Sequence, residues 1–314
     1  MLQILLSIAP IFALIVLGHV LRRNGIPSLE FWNVNDKLVY WVLFPALLFY
    51  KVSTISLSGA QVVPHALVMF GALACSLLFA LVAARLAGYD GPLGSSLMQG
   101  CARHNTFIAL AVSERVFGAE GLAVAALTTA LLLPVTNICV VTLMVAMIRG
   151  DGDSEGGVAR AIARDLARNP LLLAVLAGIA WNLAGLGTLP VLHDSAQILG
   201  GAALPVMLLC VGANIQVRAI AAVVGPLLLS MVGRMVVFPA TVIGLALALQ
   251  LPAAAALVAL VYGAVPTAPG GFTLARQMGG DAPVMAGMIT LQTVVAFVTL
   301  PLTLALGARL LGAP

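Results

Sequence analysis

The chain has 314 residues, of which 62% are hydrophobic and 8% are charged, and its formal net charge is +4. A soluble domain carries roughly 25% charged residues and about 45–50% apolar ones, so this composition excludes a water-soluble enzyme, a secreted disulfide scaffold, a nucleic-acid-binding module and a disordered chain. The sequence predicts an all-α polytopic membrane protein whose main solvent is the lipid bilayer.

Apolar stretches long enough to form membrane helices recur along the whole chain. A span needs about 20 mainly apolar residues, and helices are the only open-chain structure that satisfies its backbone in lipid. Ten such stretches cover residues 3–21, 34–53, 63–86, 95–117, 120–148, 170–187, 193–214, 222–249, 253–276 and 282–311. A polar linker at 149–169 divides them into a first unit of five spans, 1–148, and a second unit of five, 170–314.

The basic residues orient these spans. Cytoplasmic loops hold the excess of Lys and Arg in membrane proteins. With the N-terminus outside, nine of the fifteen Lys and Arg residues fall in inside loops, three fall outside and three lie within spans. No basic residue stands before the first span, and Arg22 and Arg23 stand directly after it. This pattern is typical of a retained span rather than a secretory signal. We therefore expect a multi-pass protein of the cell inner (plasma) membrane with both termini outside the cytoplasm.

The two units share glycines and prolines at a nearly constant offset. The pairs 160 positions apart are Gly18 and Gly178, Gly25 and Gly185, and Pro45 and Pro205, and the pairs 162 apart are Pro64 and Pro226, and Gly71 and Gly233. Because each unit has an odd number of spans, the second copy must run through the membrane in the opposite direction. Inverted repeats are typical of secondary transporters, which bind substrate near the membrane midplane between the copies.

Equivalent spans of the two units carry helix-breaking residues. The fourth span has a polar cluster at its middle that includes Arg103, His104, Asn105 and Thr106. The ninth span reads V-P-T-A-P-G-G and contains Pro266, Thr267, Pro269 and Gly270, which a continuous helix cannot accommodate together. Interrupted spans leave peptide groups that must face protein or a water-filled cavity, and interrupted helices mark the binding site in such transporters.

The chemistry of these breaks favours a negatively charged ligand. The half-helix after each break presents free amides and the positive end of its dipole, which attract an anion. Arg103 adds a full positive charge in a fork that suits a carboxylate, and Asn105, Thr106 and Thr267 add hydrogen-bonding groups. The alternative is a pair of proline kinks whose polar groups cap each other. We expect the crossing of the two breaks to be the substrate site.

Other polar residues within the spans are weaker candidates. Gln292 and Asn137 lie on repeat partners that flank the breaks, and His104 could carry a proton. Arg234 lies mid-span, where an unpaired charge is costly, and it either neutralises substrate or pairs with an acid such as Glu114. Asn35 stands at the start of the second span, either as part of a helix start or as a cavity wall. No metal or other cofactor is indicated.

Five segments resemble the auxin efflux carrier family, which includes the plant PIN-FORMED proteins and bacterial malate and malonate permeases. They are A-P-I-F-A-L-I-V-L-G, N-D-K-L-V-Y-W-V-L-F-P-A-L-L-F, N-P-L-L-L-A-V-L-A-G, A-L-P-V-M-L-L-C-V-G-A-N-I and V-P-T-A-P-G-G-F-T-L-A-R-Q-M-G-G-D. The resemblance implies a ten-helix fold related to sodium/bile-acid symporters, with helices 4 and 9 crossed. It also implies a scaffold of helices 1, 2, 6 and 7, which could form a homodimer, and a transport domain of helices 3–5 and 8–10 that moves as an elevator.

The resemblance implies that the crossover asparagine, here Asn105, contacts the substrate. It also implies that the protein is an organic-anion carrier. The first unit departs from the family pattern, because R-H-N-T-F-I-A-L stands where relatives show asparagine followed by G-x-P. This departure favours a compact, highly charged mono- or dicarboxylate. The alternatives are an auxin-like aromatic carboxylate, and a channel or sensor on the same fold. An intramembrane enzyme is disfavoured, since the sequence has no motif such as H-E-x-x-H.

Overall fold

The computed structural model describes residues 2–54, 59–149, 167, 169–216 and 224–312. The helices are α1 (Leu2–Arg23), α2 (Leu29–Leu38), α3 (Phe44–Thr54), α4 (Gly59–Leu86), α5 (Gly91–Ala102), α6 (Thr106–Arg149), α7 (Pro170–Leu183), α8 (Pro190–Ala213), α9 (Val224–Val232), α10 (Phe238–Ala248), α11 (Ala253–Ala264), α12 (Gly270–Met278) and α13 (Ala282–Leu310). Within the described ranges the chain is helix and loop without β-strands, which confirms the all-α prediction. The predicted linker 149–169 lies almost wholly outside them.

The helices present an apolar outer surface. Six helical stretches of the described chain are long and apolar enough to cross a membrane: Ile4–Arg23, Val62–Leu86, Gly91–Ile148, Pro190–Ala213, Val224–Ala248 and Ala282–Leu310. Shorter apolar helices are Pro170–Leu183 and Ala253–Ala264. Large apolar side chains such as Val191 and Ile198 point outward, 82% and 75% exposed. Such a surface requires a lipid solvent, and the fold is that of a polytopic membrane protein.

Two short π-helical turns, Val39–Leu43 and Gly233–Val237, join α2 to α3 and α9 to α10. Each is followed by a Phe-Pro pair, at Pro45 and Pro239. A proline ring crowds the carbonyl four residues before it and removes one helical amide. The wider turn accommodates the ring, so the helix continues through the proline instead of ending there.

The predicted fourth and ninth spans are both interrupted. α5 ends at Ala102 and α6 begins at Thr106, while α11 ends at Ala264 and α12 begins at Gly270. A further irregularity lies inside α6 at Gly118, whose φ of 66° and ψ of −154° are non-helical. This glycine divides α6 into a short half-helix after the first interruption and a long helix beyond it, at the predicted boundary between the fourth and fifth spans.

Helices α1 and α8 cross at a contact that allows no side chain. A Cβ on Gly18 would overlap the carbonyl oxygen of Leu209, and a Cβ on Gly212 would overlap the carbonyl oxygen of Ile15. Small residues at such crossings let helix backbones approach closely, which is the main way that membrane helices gain packing contacts. The pair α1 and α8 is therefore a closely packed unit.

We expect Gly212→Ala to destabilise the protein, because the new methyl group must displace the backbone of α1. The expected cost is about 1–3 kcal/mol, as for overpacked cores, and it should appear as a lower apparent Tm of the purified protein in detergent. Gly201→Ala on the same helix is the matched control, since nothing lies within 4 Å of its added Cβ. Equal Tm values for the two variants would contradict the close crossing.

Candidate functional site

The first interruption contains a helix end and a helix start within three residues. Arg103 follows α5 with φ −71° and ψ 148°, and its N–H donates to the carbonyl of Gln99 at 3.0 Å. Asn105 then caps α6: its Oδ1 accepts from the N–H groups of Phe107 and Ile108 at 3.1 and 3.2 Å. This N-cap satisfies two of the amides that a helix start leaves free.

The second interruption begins with the same backbone conformation as the first, but the helix after it has no side-chain cap. Val265 follows α11 with φ −70° and ψ 152°, which is nearly the conformation of Arg103 after α5. These two residues are separated by the same offset as Pro64 and Pro226. Pro269 stands at the N-cap of α12 and supplies no side-chain hydrogen bond. The start of α12 therefore lacks the side-chain cap that Asn105 gives to α6.

The two interruptions cross and bond to each other. The N–H of Asn105 donates to the carbonyl of Pro266 at 2.8 Å. The Thr267 hydroxyl donates to the carbonyl of Gln99 at 3.3 Å. Asn105 and Thr267 are fully buried. The predicted crossing is thus present, and each break supplies a partner for backbone groups that the other leaves free.

Gln292 on α13 joins the two interrupted helices. Its Oε1 accepts from the N–H of Thr267 at 2.8 Å, and its Nε2 donates to the carbonyl of Gly100 at 3.0 Å. The same Nε2 lies 3.2 Å from the Ser230 hydroxyl. With its amide fully buried and bonded at both ends, Gln292 is a bridge that positions the crossover.

Arg234 caps the end of α11 from the π-helical turn after α9. Its Nε donates to the carbonyl of Val265 at 2.8 Å, and its Nη2 donates to the carbonyl of Tyr262. Its guanidinium carbon lies 4.5 Å from the centre of the Phe238 ring. The negative end of the α11 dipole offsets this fully buried charge. Its described partners are carbonyls rather than Glu114, and its Nη1 has no hydrogen-bond partner among the described residues, so both predicted roles stay predictions.

Arg103 brings a guanidinium group to the start of α12. Its Nη1 donates to Oδ1 of Asn137 at 3.2 Å. Its Nη2 lies 3.5 Å from where a Cβ on Gly270 would stand. Arg103 is half-buried and Gly270 is exposed, so this corner of the crossover is accessible. The positive charge of Arg103 and the positive end of the α12 dipole add to the same local potential.

Several buried polar atoms at the crossover have no protein partner among the described residues. They are both ring nitrogens of His104, Nδ2 of Asn105, both side-chain amide atoms of Gln99 and Nη1 of Arg234. Buried polar groups are normally hydrogen-bonded, and unsatisfied ones call for water, an ion or a ligand. Thr106, 6% exposed, begins α6 beside them.

Asn35 belongs to a different polar cluster. Its Nδ2 donates to the Cys210 sulfur at 3.3 Å. Nearby, Nδ2 of Asn214 donates to Asp36 at 3.1 Å, and Oδ1 of Asn214 accepts from Arg22 at 3.2 Å. This cluster ties α1, α2 and the end of α8 together. No described hydrogen bond joins Asn35 to the crossover residues.

An open cavity of about 430 Å³ lies between α1, α8 and the half-helix at the start of α6. It is lined by Pro10, Ile11, Leu14, Ala111, Glu114, Arg115, Leu204, Pro205 and Leu208. The sequence analysis did not identify it, because a space between three helices depends on how they cross. The kinking prolines of the first and seventh spans were its only visible signal.

Ser76 is a second feature that the sequence analysis missed. Its hydroxyl lies 3.0 Å from the carbonyl of Cys101 at the end of α5 and 3.3 Å from that of Gly233. The end of α5 thus receives a neutral cap from the third predicted span, whereas the end of α11 receives Arg234 from the eighth. A single serine in an apolar span gave too weak a signal to find this role.

Comparison with known proteins agrees with this architecture. A family profile described as "Membrane transport protein" matches residues 3–304, nearly the whole chain. The chain belongs to this family. The match confirms the resemblance to the auxin efflux carriers and establishes a multi-pass membrane transport protein. An uncharacterized transporter of Methanothermobacter thermautotrophicus is 25% identical over 301 residues, which cover 94% of this chain and 96% of that relative.

We expect Gln292→Leu to destabilise the transporter, because it leaves the Thr267 amide and the Gly100 carbonyl buried without a partner. Each such group costs about 1–3 kcal/mol, so the apparent Tm in detergent should fall. Thr293→Val is the matched control: among the described residues, its buried hydroxyl bonds to the carbonyl of Ile289, one turn earlier in α13. An unchanged Tm for Gln292→Leu would refute its role as a bridge.

Proposed function

We propose that this transporter is a secondary carrier that moves small organic anions, mono- or dicarboxylates, bound at the crossover of the two interrupted helices. One observation carries the proposal: the Arg103 guanidinium lies beside the uncapped start of α12. A carboxylate there would meet a full positive charge and the positive end of a helix dipole. Charge-assisted hydrogen bonds of this kind are stronger than neutral ones.

The arrangement favours a compact anion over a bulky aromatic one. Pro266, Thr267, His104 and Asn105 are buried, and the accessible corner is formed by Arg103 and Gly270. A carboxylate transferred from water into this interior loses much solvation, which only close and well-oriented donors replace. Arg103, whose Nη1 also donates to Asn137, provides a full positive charge for such a group.

The proposed topology has ten spans with both termini outside, in two inverted units, 1–148 and 170–314. Support comes from the matching backbone of Arg103 and Val265, which end equivalent half-helices at a common repeat offset. The caps are also equivalent, since Ser76 and Arg234 lie on corresponding spans and bond to carbonyls at corresponding helix ends. A repeated backbone with different side chains is the pattern of duplicated transporter folds.

We further propose an elevator motion of the crossover against a scaffold of α1, α2, α3, α7 and α8. The hydrogen bonds that hold the crossover join α5, α6, α11, α13 and the π-helical turn after α9, so they can move together. The contacts with the scaffold include edge-to-face ring pairs, Phe44 with Phe107 at 4.5 Å and Phe12 with Phe297 at 5.2 Å. These ring contacts involve no hydrogen bond, so they can be exchanged without leaving a buried polar group unpaired. The cavity of about 430 Å³ between α1, α8 and α6 is the proposed approach route.

Arg103→Gln tests the anion site. We expect it to lower uptake of radiolabelled malonate into proteoliposomes by at least about tenfold, because a loss of about 1.4 kcal/mol in binding already gives that factor. It should also abolish the rise in Tm that malonate produces in the purified protein. Arg276→Gln is the matched control, since Arg276 is exposed in the last turn of α12. Equal uptake by wild type and Arg103→Gln would argue against this site.

Leu204→Trp tests the approach route. The larger side chain narrows the cavity between α1, α6 and α8, so we expect a lower maximal uptake rate with an unchanged Tm shift by malonate. Leu199→Trp is the control, because Leu199 lies on the same helix but is 39% exposed and does not line the cavity. If Leu204→Trp transports malonate at the wild-type rate, the route lies elsewhere.

A further inference from the structure

His104 is an ionisable side chain held within the crossover without hydrogen bonds. It is 5% exposed, and neither ring nitrogen has a protein partner among the described residues. Burying two polar nitrogens without partners costs free energy, and an apolar side chain could fill the same space without that cost. Ionisable residues inside membrane spans are expensive and commonly mark proton or ion sites.

Other histidines within the bundle are used differently. Nε2 of His65 lies 2.8 Å from the Thr128 hydroxyl. Nδ1 of His193 accepts from the N–H of Leu189 at 3.1 Å, and its Nε2 lies 3.2 Å from the Ser53 hydroxyl. His193 is therefore a helix cap whose two nitrogens are both occupied. His104 differs from both in having two available nitrogens.

Charged and titratable groups face His104 from three directions. Arg103 precedes it in the chain, and Arg234 lies in the π-helical turn after α9. The charges of both arginines act electrostatically on the His104 ring. The ring of Tyr262 in α11 lies 5.6 Å away between ring centres. The Tyr262 hydroxyl is already engaged with the Ala125 carbonyl and the Thr129 hydroxyl, each at 2.6 Å. No described neighbour hydrogen-bonds either imidazole nitrogen, while the two arginines oppose a positive charge on the ring unless an anion offsets them.

We infer that His104 binds one proton that travels with the organic anion, so that the carrier is an anion–proton symporter. This inference rests on the proposed function, because the anion must lie beside Arg103. A proton from the loading side adds to the unprotonated ring nitrogen and leaves from that nitrogen on the other side. A monoanion then crosses with no net charge, and a dianion crosses with one net negative charge.

The coupling follows from Coulomb's law in a medium of low dielectric constant. A protonated His104 without an anion would place three positive groups together, whereas an anion held by Arg103 attracts the proton to the adjacent ring. Thermodynamic reciprocity requires the proton to strengthen anion binding by the same factor. Anion and proton therefore load and unload together, which is the condition for symport.

The experiment uses proteoliposomes containing pyranine, with the membrane potential clamped at zero by potassium and valinomycin and with radiolabelled malonate as the probe. For wild type we expect one proton to enter with each malonate. An inward gradient of one pH unit should then accumulate malonate about tenfold at steady state, because one unit is a factor of ten in proton activity. This ratio is thermodynamic and does not depend on the transport rate.

The variant His104→Gln keeps a polar side chain but cannot be protonated. We expect its accumulation ratio to fall to about one, while His19→Gln on α1 retains the tenfold ratio. Wild-type malonate uptake without protons would overturn the inference and leave the anion carrier intact. A tenfold ratio that persists in His104→Gln would overturn His104 as the proton site. No malonate uptake by wild type would overturn both proposals. The wild-type stoichiometry is informative even if the variant fails to fold.

Discussion

The arrangement at the centre of this protein depends on the hydrogen bond from the backbone N–H of Asn105 to the backbone carbonyl of Pro266. Two helices stop within the bundle, and lipid cannot satisfy the peptide groups that they leave free. Each break therefore needs the other as a partner. Gln292, Ser76 and Arg234 donate hydrogen bonds to further backbone carbonyls next to the breaks. Without these bonds, broken helices at this depth would be too costly to bury.

The two breaks are similar in backbone but different in charge. Arg103 and Val265 have nearly the same conformation, yet one carries a guanidinium and the other an isopropyl group. In the same way, a neutral hydroxyl caps α5 while a charged side chain caps α11. The charge of Arg234 is directed at the end of a helix dipole, whereas that of Arg103 lies beside the start of α12. This difference in charge gives the corner of the crossover at Arg103 and Gly270 a positive potential.

The contacts fall into two groups that correspond to the two parts of the proposed elevator motion. The crossover bonds join helices on one side of the cavity, while α1 and α8 pack backbone to backbone through Gly18 and Gly212 on the other. Ring contacts such as Phe44 with Phe107 connect the two sides. The proposed motion requires two groups of helices, each with its own internal contacts, and a contact between them that involves no hydrogen bond. Because His104 lies within the crossover, the proposed proton would move together with the proposed anion.

The solvent of this protein and the positions of the two helix breaks follow from its sequence alone. Both depend on local properties: hydropathy over about 20 residues defines a span, and proline or glycine excludes a regular helix wherever it is clustered. Local sequence therefore sufficed to place Asn105, Thr267 and Arg103 at the crossover. The tertiary structure decided the partners of the long side chains. Arg234 binds carbonyls of α11, Gln292 bridges two helices, and Asn35 contacts Cys210. The sequence indicates which face of a helix a residue occupies, but its partner depends on how distant helices cross.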